Sequence, residues 1–498
     1  MIRPLCSLVV LLFCSLPSSE AAIRIGTAKV DISRVSAPPS PNTLYAKALV
    51  LADETQTAVV VTLDAVAVGE IGSIRNDFLA NVRARLQREL NIPPDKVIVN
   101  ASHCHGIVHA EVEDRTVAAV RQAAANLRPV RVGAGTGREN RVMENRRLQL
   151  KNGREIDVRH AYSLPPDDTV AAVGPVDPEI GVLRFDTLAG DPLAVVYNFA
   201  CHPIKGTPAT GGNTADIVGF ASAVIEENLG ADTTAFFLQG CGGDINPIRY
   251  KEVDVPRDAE PLGNLLGLNT LRAVRAIQTR EVDDFAIINR RIKVPRADHA
   301  QRIAEMEQEK ERLLKSLRGT TLNLKTFMSL YLKHRAAGSF PAADSYVYLR
   351  EQQMGVDDRS RLDEQNEADV ERYRANVLTM EALTRLMINR ALLEKHLARN
   401  RAAEMKPLEV EVAGLRVGEF RLVTFPGELT VPIGLNIKRR SPYELTFVAG
   451  YTNGYIYYCP TAEQLRNVGG AQEDSDCLLA PAWQTLFEDT ALRLLEGL

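Results

Sequence analysis

The sequence predicts an α/β fold: layered mixed β-sheets with flanking helices, plus a charged helical insertion. Three observations predict it. Apolar runs of strand length alternate with segments of helical spacing from Ile23 to about residue 290. From Arg296 to about Ala403 the chain turns highly charged and almost wholly helical in pattern. From Leu408 the strand pattern returns. The expected organisation is a signal segment at 1–21, a first part of the α/β domain at 22–295, the insertion at 296–404 and a second part at 405–498.

Arg3 gives the N-terminus a positive start, Leu5 to Leu16 is mostly apolar, and Ser19-x-Ala21 suits signal-peptidase cleavage. That apolar run is too short to span a bilayer. Cleavage near Ala21 and a secreted or periplasmic location are therefore expected. Bulky Phe13 directly before Cys14 argues against a lipoprotein anchor there. No later stretch approaches about 18 consecutive apolar residues, so a soluble mature protein is expected.

Alternation predicts a strand over Ile23–Ile32, and the prolines at 38, 39 and 41 a loop. Ala46–Leu51 and Ala58–Leu63 read as strands joined by a polar turn, the second ending at Asp64. Ile74–Leu90 has helical spacing (Phe78, Leu79, Val82, Leu86, Leu90), and Pro93-Pro94 breaks it. Val97–Val99 reads as a buried strand and Thr116–Leu127 as a helix. Later strands are clearest at Val182–Phe185, Leu193–Phe199 and Thr234–Leu238, with a helix over Gly219–Leu229. In the insertion, Ile303, Met306, Leu313, Leu314 and Leu317 make one stripe; Val370, Tyr373, Val377, Met380, Leu383, Met387 and Leu397 make another. A hairpin turning near Gly338–Asp344 is expected, with a solvated face on a packed stripe as its plain role and a lid or partner surface as the second. Strands follow at Leu408–Val412, Phe420–Phe425 and Leu445–Ala449, then a helix over Pro481–Leu495 whose Trp483 should pack on the core.

The composition is globular, 45% hydrophobic and 24% charged, with net charge −4 and no basic tract, which argues against nucleic acid as partner. Seven Cys are present, two of them in the signal segment. The other five (Cys104, Cys201, Cys241, Cys459, Cys477) are odd in number and include no C-x-x-C pair. Small buried packing residues are the expected role.

Chemistry concentrates at strand ends. Val97 to Gly106 is an apolar run closing on His103 and His105, which share a side if the segment is extended. His109 follows, and three of only 8 His thus fall within seven positions. Two imidazoles beyond a strand's carboxyl end make half of a metal site, and a His-bearing surface loop is the plain alternative. Four more tips carry polar groups: His202 before Pro203, Asp244 in a glycine-rich turn, Glu428 after Pro426-Gly427, and the tyrosines between Phe447 and Pro460. Singly these read as a core His, an Asx turn and a turn Glu. Together they form a His and carboxylate set of the kind that holds catalytic zinc.

In order, Ser102-His-Cys-His-Gly106, Asn145-Arg146, Asn198-Phe-Ala-Cys-His-Pro203, Gly243-Asp-Ile-Asn-Pro247, Phe425-Pro-Gly-Glu428 and Tyr458-Cys-Pro-Thr461 resemble the catalytic domain of neutral (non-lysosomal) ceramidases. The resemblance runs from about Ile25 to the C-terminus, the insertion excepted. It implies one zinc per chain, held by His103, His202, Glu428 and Tyr458, with Tyr455 and Tyr457 close by. It implies that His105 and Arg146 belong to the catalytic machinery. Asp244 joins them as a candidate that shapes the turn or fixes a His tautomer. The implied reaction is hydrolysis of the amide of an N-acyl, ceramide-like substrate. His105 would move the proton and Arg146 would stabilise the oxyanion. A small-molecule or lipid amide is then the expected partner, with peripheral membrane contact among the expected interactions.

The chain departs from that family. Asn246 stands where the family has a catalytic Ser. The family's second active-site Tyr has no counterpart, since Gly469-Gly470-Ala471 occupies its place. Cys104 and Ile107 replace the Thr-Ser-Gly-Pro-like continuation of the His motif. The resemblance stops before the family's immunoglobulin-like C-terminal domain, so a catalytic domain alone is expected. Two other readings stand beside it. One is a barrel-type amidohydrolase using His160 and His202, although no eightfold strand–helix pattern is present. The other is a non-catalytic lipid- or carbohydrate-binding relative. A metallo-β-lactamase pattern fails because Gly106-Ile-Val precedes His109.

Overall fold

The computed structural model describes residues 23–34, 43–158, 164–206, 214–252, 254–255, 257–337, 345–467 and 470–498. The expected signal segment, the proline loop at 38–41, His160 and the expected turn at 338–344 lie outside them.

Strands β1 (Arg24–Asp31), β2 (Tyr45–Ala52) and β3 (Thr57–Leu63) form an antiparallel meander. Helix α1 (Phe78–Leu90) crosses over to β4 (Val97–Ala101), which joins β3 in parallel. Every residue of β4 is buried, as a strand covered on both faces must be. Helix α2 (Val112–Ala125) packs on β1 and β2. The long β5 (Arg128–Arg138) then bridges β1 to β6 (Glu179–Thr187), and β7 (Pro192–Phe199) pairs with β6. Helix α3 (Asp216–Leu229) leads to β8 (Thr234–Gln239), again parallel to its predecessor, and α4 (Glu260–Ala276) packs on α3. The result is one mixed sheet in the order β8-β7-β6-β5-β1-β2-β3-β4, with Arg280–Glu281 pairing β5 off this path.

Strand β9 (Phe285–Val294) leads into four helices: α5 (Ala300–Ser316), α6 (Leu324–Ala337), α7 (Tyr346–Met354) and α8 (Asp358–Ala402). Strand β10 (Leu408–Val417) returns beside β9 in unbroken antiparallel register, Val294 opposite Leu408. The helices therefore leave and re-enter one sheet at adjacent positions. Strand β11 (Phe420–Thr424), helix α9 (Val431–Arg440) and strand β12 (Thr446–Ala449) form a third parallel crossover. The final helix is α10 (Trp483–Gly497).

One apolar layer lies between the two sheets, with Leu49, Val60 and Ile98 facing Leu415, Leu422 and Phe447. A second fills the space under α1, α2 and α10, where Trp483 is fully buried, stacks on Phe487 and donates its indole N–H to Pro460 O at 3.0 Å. A third lies under α3 and α4. The α/β layered architecture is as expected, and the open mixed sheets rule out the barrel reading.

Three local expectations need correction. Helix α1 starts at Phe78 rather than Ile74, and α2 at Val112 rather than Thr116. Between α2 and β6 the chain forms strands rather than continuing to alternate. The signal was weak because β5 carries Gly133, Gly135 and Gly137 in alternation. At Gly133 a Cβ would stand 2.4 Å from Gln278 O, so the strand gives up apolar content to admit a neighbouring backbone. The insertion is a four-helix excursion on a 45-residue α8. Its second stripe is not one face: Val370, Leu383 and Leu397 are buried, while Met380 and Met387 are exposed. The outer half of α8 packs on other insertion helices, while the inner half meets both α5 and the body, so the buried side changes along its length.

Candidate metal centre

Three parallel crossovers send their strands' carboxyl ends to one place. His103 follows β4, His202 follows β7, and Glu428 follows β11. Two buried asparagines bind these ends together. The Asn100 side chain donates to Gly450 O and Thr452 Oγ1, both at 2.8 Å, and accepts from Gln239 N. Asn198 donates to Leu238 O and Val448 O. Strand tips from both halves of the chain are thereby tied side by side.

His103 and His202 are oriented by backbone carbonyls. His103 Nδ1 lies 2.6 Å from Val66 O, and His202 Nδ1 lies 2.9 Å from Ile245 O. A carbonyl oxygen only accepts, so Nδ1 carries the proton in both rings and Nε2 carries the lone pair. Both Nε2 atoms face Glu428 Oε2, at 3.6 Å from His103 and 3.2 Å from His202. All three residues are buried. Burial, aided by His202 and Arg146 and opposed by Glu428, lowers His103 to about 4, so its ring is neutral near pH 7. Burial alone would raise Glu428, but His103 and His202, at pH low enough to protonate the rings, and the Tyr455 hydroxyl outweigh it and hold the carboxylate well below the usual range. Tyr451 donates to Glu428 Oε2 at 3.1 Å, and Tyr455 donates to Oε1.

Three electron-rich atoms thus converge within 4.8 Å of one another, a set that could hold a metal ion. Tetrahedral zinc with ligands at about 2.0–2.1 Å spaces them roughly 3.3 Å apart, and the two observed separations bracket that value. Donor type, spacing and orienting carbonyls all fit such an ion.

Around this trio the expected motifs meet in pairs. Met143–Asn145 pairs with Ile245–Pro247, which sets Arg146 beside Asn246, with NH1 3.2 Å from Asn246 Oδ1. Glu428–Leu429 pairs in parallel with Tyr458–Cys459. Gly243 allows its turn to lie against this ladder, since a Cβ there would stand 2.5 Å from Glu428 O. The glycine serves close backbone packing, not a bound group. Arg146 is buried, with Nε 2.6 Å from Glu473 Oε1, NH2 2.6 Å from Gly243 O, and its guanidinium 5.4 Å from the Tyr458 ring centroid. Burial opposes its charge, but Glu473 and Tyr458 outweigh burial and keep it cationic.

The cavity over the trio has a volume of about 380 Å³ and is lined by His103, His105, Arg146, His202, Glu428 and Tyr458, with Val66, Ile71 and Ile204 supplying apolar wall. His105 is exposed to it, its ring centroid 5.6 Å from that of His103. The two are not consecutive same-side residues of a strand. The strand ends at Ala101, and His103 sits in the left-handed region at φ +68°. His109 is not in the wall; its Nδ1 accepts from Glu111 N. Asp244 is fully buried behind the wall. Its carboxylate accepts from Val431 N at 2.7 Å and Asn145 Nδ2 at 3.2 Å. The main chain of its neighbour Ile245, not its carboxylate, fixes the His202 tautomer.

Several residues in and behind the wall escaped the sequence reading. Tyr451 sits in a tip singled out for its tyrosines, but nothing marked which phenol meets the Glu. Asp476 and Lys395 both face the cavity, with Lys395 Nζ 3.4 Å from the carboxylate, and His396 Nε2, 2.5 Å away, holds Asp476 from behind. Lys395 and His396 come from α8. The inner end of the insertion is therefore cavity wall, a placement that a charged helix does not reveal in sequence.

No protein-family model matches the chain, and no curated protein does. Two solved structures are similar across 96% of it. One is the neutral ceramidase from Pseudomonas aeruginosa, with TM-score 0.60, 18% identity and 75% of that chain covered. The other is a ceramidase complexed with C2, with TM-score 0.60, 17% identity and 76% covered. The fold is ceramidase-like. In this ceramidase-like fold the carboxyl ends of the parallel strands carry the His-His-Glu trio.

Proposed function

We infer that the chain is a zinc-dependent hydrolase of the neutral-ceramidase type, exported after cleavage near Ala21, that cleaves the amide of an N-acyl, ceramide-like substrate. The observation that carries this reading is the buried His103–His202–Glu428 trio, with its lone pairs turned inward, at the strand ends of a ceramidase-like fold. Those three residues would hold the zinc, with Tyr458 as the fourth. Zinc there supplies a Lewis acid that polarises a carbonyl and brings the pKa of water to about 7.

The chain's own residues do the rest. His105, exposed to the cavity, takes the proton from the attacking water and returns it to the leaving amine. Arg146, held cationic by Glu473, faces the developing oxyanion. Asn246 accepts from Arg146, so the residue at the family's Ser position steadies the guanidinium. Tyr451 and Tyr455 hold Glu428 in one orientation. Asp244 positions the turn from behind.

The test is fatty-acid release from a ceramide by zinc-loaded protein, with a chelated sample alongside. Release that the chelator abolishes is the expected result. No release from protein shown to hold zinc would overturn ceramide as substrate. His105→Ala should keep its zinc and lose about 10²–10⁴-fold in rate. Near-normal turnover would remove His105 as the proton carrier.

A further inference from the structure

Large apolar side chains are unevenly spread over this surface. Of the 19 that are exposed among the described residues, 13 lie between Leu314 and Met387, in the insertion. A soluble surface scatters such residues singly, and a concentration marks an interaction site. The densest row is on α6. Leu324, Met328 and Leu332 stand at i, i+4 and i+8, on one face, and are 63%, 43% and 60% exposed. The adjoining face is already committed. Phe327 stacks on Tyr373 of α8 with ring centroids 4.5 Å apart, and Tyr331 stacks on Phe327 at 5.5 Å. Aromatic packing therefore fixes α6 to α8 with its aliphatic row outward. Tyr346 and Leu349 of α7 are exposed nearby in the chain.

Charge selects the occupant. The chain as a whole is net negative, at −4. From Arg312 to Met354, however, it carries seven Lys and Arg against two acids, Asp344 and Glu351, and Glu351 is already paired with Arg359. Helix α6 contains no acid, and its Lys325, Lys333 and Arg335 are exposed. A second copy of the chain placed row to row would set cations against cations. An anionic lipid surface instead offers an acyl boundary for the aliphatic row and phosphates for the cations.

We propose that α6 docks the insertion onto the surface of an anionic lipid bilayer. The site is separate from the metal centre, since no residue of α6 or α7 lines that cavity, and it stands whatever the catalysed reaction is.

The test is co-sedimentation of the processed protein with vesicles of phosphatidylcholine alone and of an equal mixture of phosphatidylcholine and phosphatidylglycerol. Binding to the mixed vesicles, weak binding to the neutral ones and a steep loss with added salt are expected. Two double variants at exposed positions, Met328→Glu with Leu332→Glu and Lys325→Glu with Lys333→Glu, should each lower partitioning at least about tenfold. Both should keep the parent's zinc content, melting temperature and turnover of detergent-dispersed substrate. Wild-type protein that sediments with neither vesicle overturns the proposal, as does binding that both double variants retain. Self-association by light scattering without vesicle binding, abolished by the Met328/Leu332 pair, would also overturn it and assign the row to a dimer.

Discussion

At the scale of single residues, the site is a problem of lone pairs. Val66 O and Ile245 O claim the Nδ1 protons, so His103 and His202 face Glu428 as acceptors. Glu428→Gln removes the negative charge that draws a cation between them and leaves two phenols donating to a partly donating amide. Zinc content after dialysis should fall far below one per chain while the fold is kept. Tyr455→Phe removes one orienting bond and should weaken zinc affinity by about 10–100-fold, measured by competition with a chelator of known affinity. Tyr458→Phe should also lower it if the phenol is the fourth ligand. An unchanged affinity would confine Tyr458 to supporting Arg146. The histidines and Glu428 were legible in sequence because each closes an apolar strand. The Tyr451 and Tyr455 contacts were not, because side-chain direction in a loop follows from backbone torsions that composition does not encode.

At the scale of elements, buried charge holds the wall together. Arg146 and Arg147 are consecutive and share Glu473, one on each carboxylate oxygen, and Arg147 also meets Asp474 at 2.8 Å and Glu155 at 2.6 Å. Glu473 and Asp474 are fully buried. Arg147→Met would leave them short of a counter-charge and should cost about 3–5 kcal/mol in urea unfolding. A cost below about 1 kcal/mol would mean that water reaches the carboxylates. The sequence could not announce this cluster, because three acids within four residues, Glu473 to Asp476, carry no apolar signal of burial. Strand order in the sheets was equally hidden, whereas the strands around each His followed from apolar runs alone. The prediction failed at β5 for the opposite reason, its glycines having removed the apolar signal.

At the scale of the molecule, the apolar layers account for the cysteines. All five described thiols are free and buried. Burial pushes Cys477 up to about 12 and the other four upward as well. Reaction with a thiol reagent near neutral pH should be negligible in the native protein and complete after denaturation. Rapid modification of any of the five in native protein would show that its layer opens. The fold class was legible because it depends on periodicity, which survives without knowledge of contacts. The insertion's helices were legible for the same reason. Its contribution of Lys395 to the cavity, and of His396 to Asp476 behind it, was not, since that depends on where a long helix comes to rest.

The trio also has a history in time. His202 and Glu428 are separated by 226 residues, with the whole insertion between them. At a synthesis rate of about 5–20 residues per second, both histidines emerge roughly 10–45 s before the carboxylate exists. During that interval a nascent chain has two imidazoles and lacks the third member of the trio, so on the proposed zinc reading metal acquisition belongs after synthesis, when the last crossover has closed. A chain truncated before Glu428 should leave gel filtration free of zinc, however well its first sheet has folded.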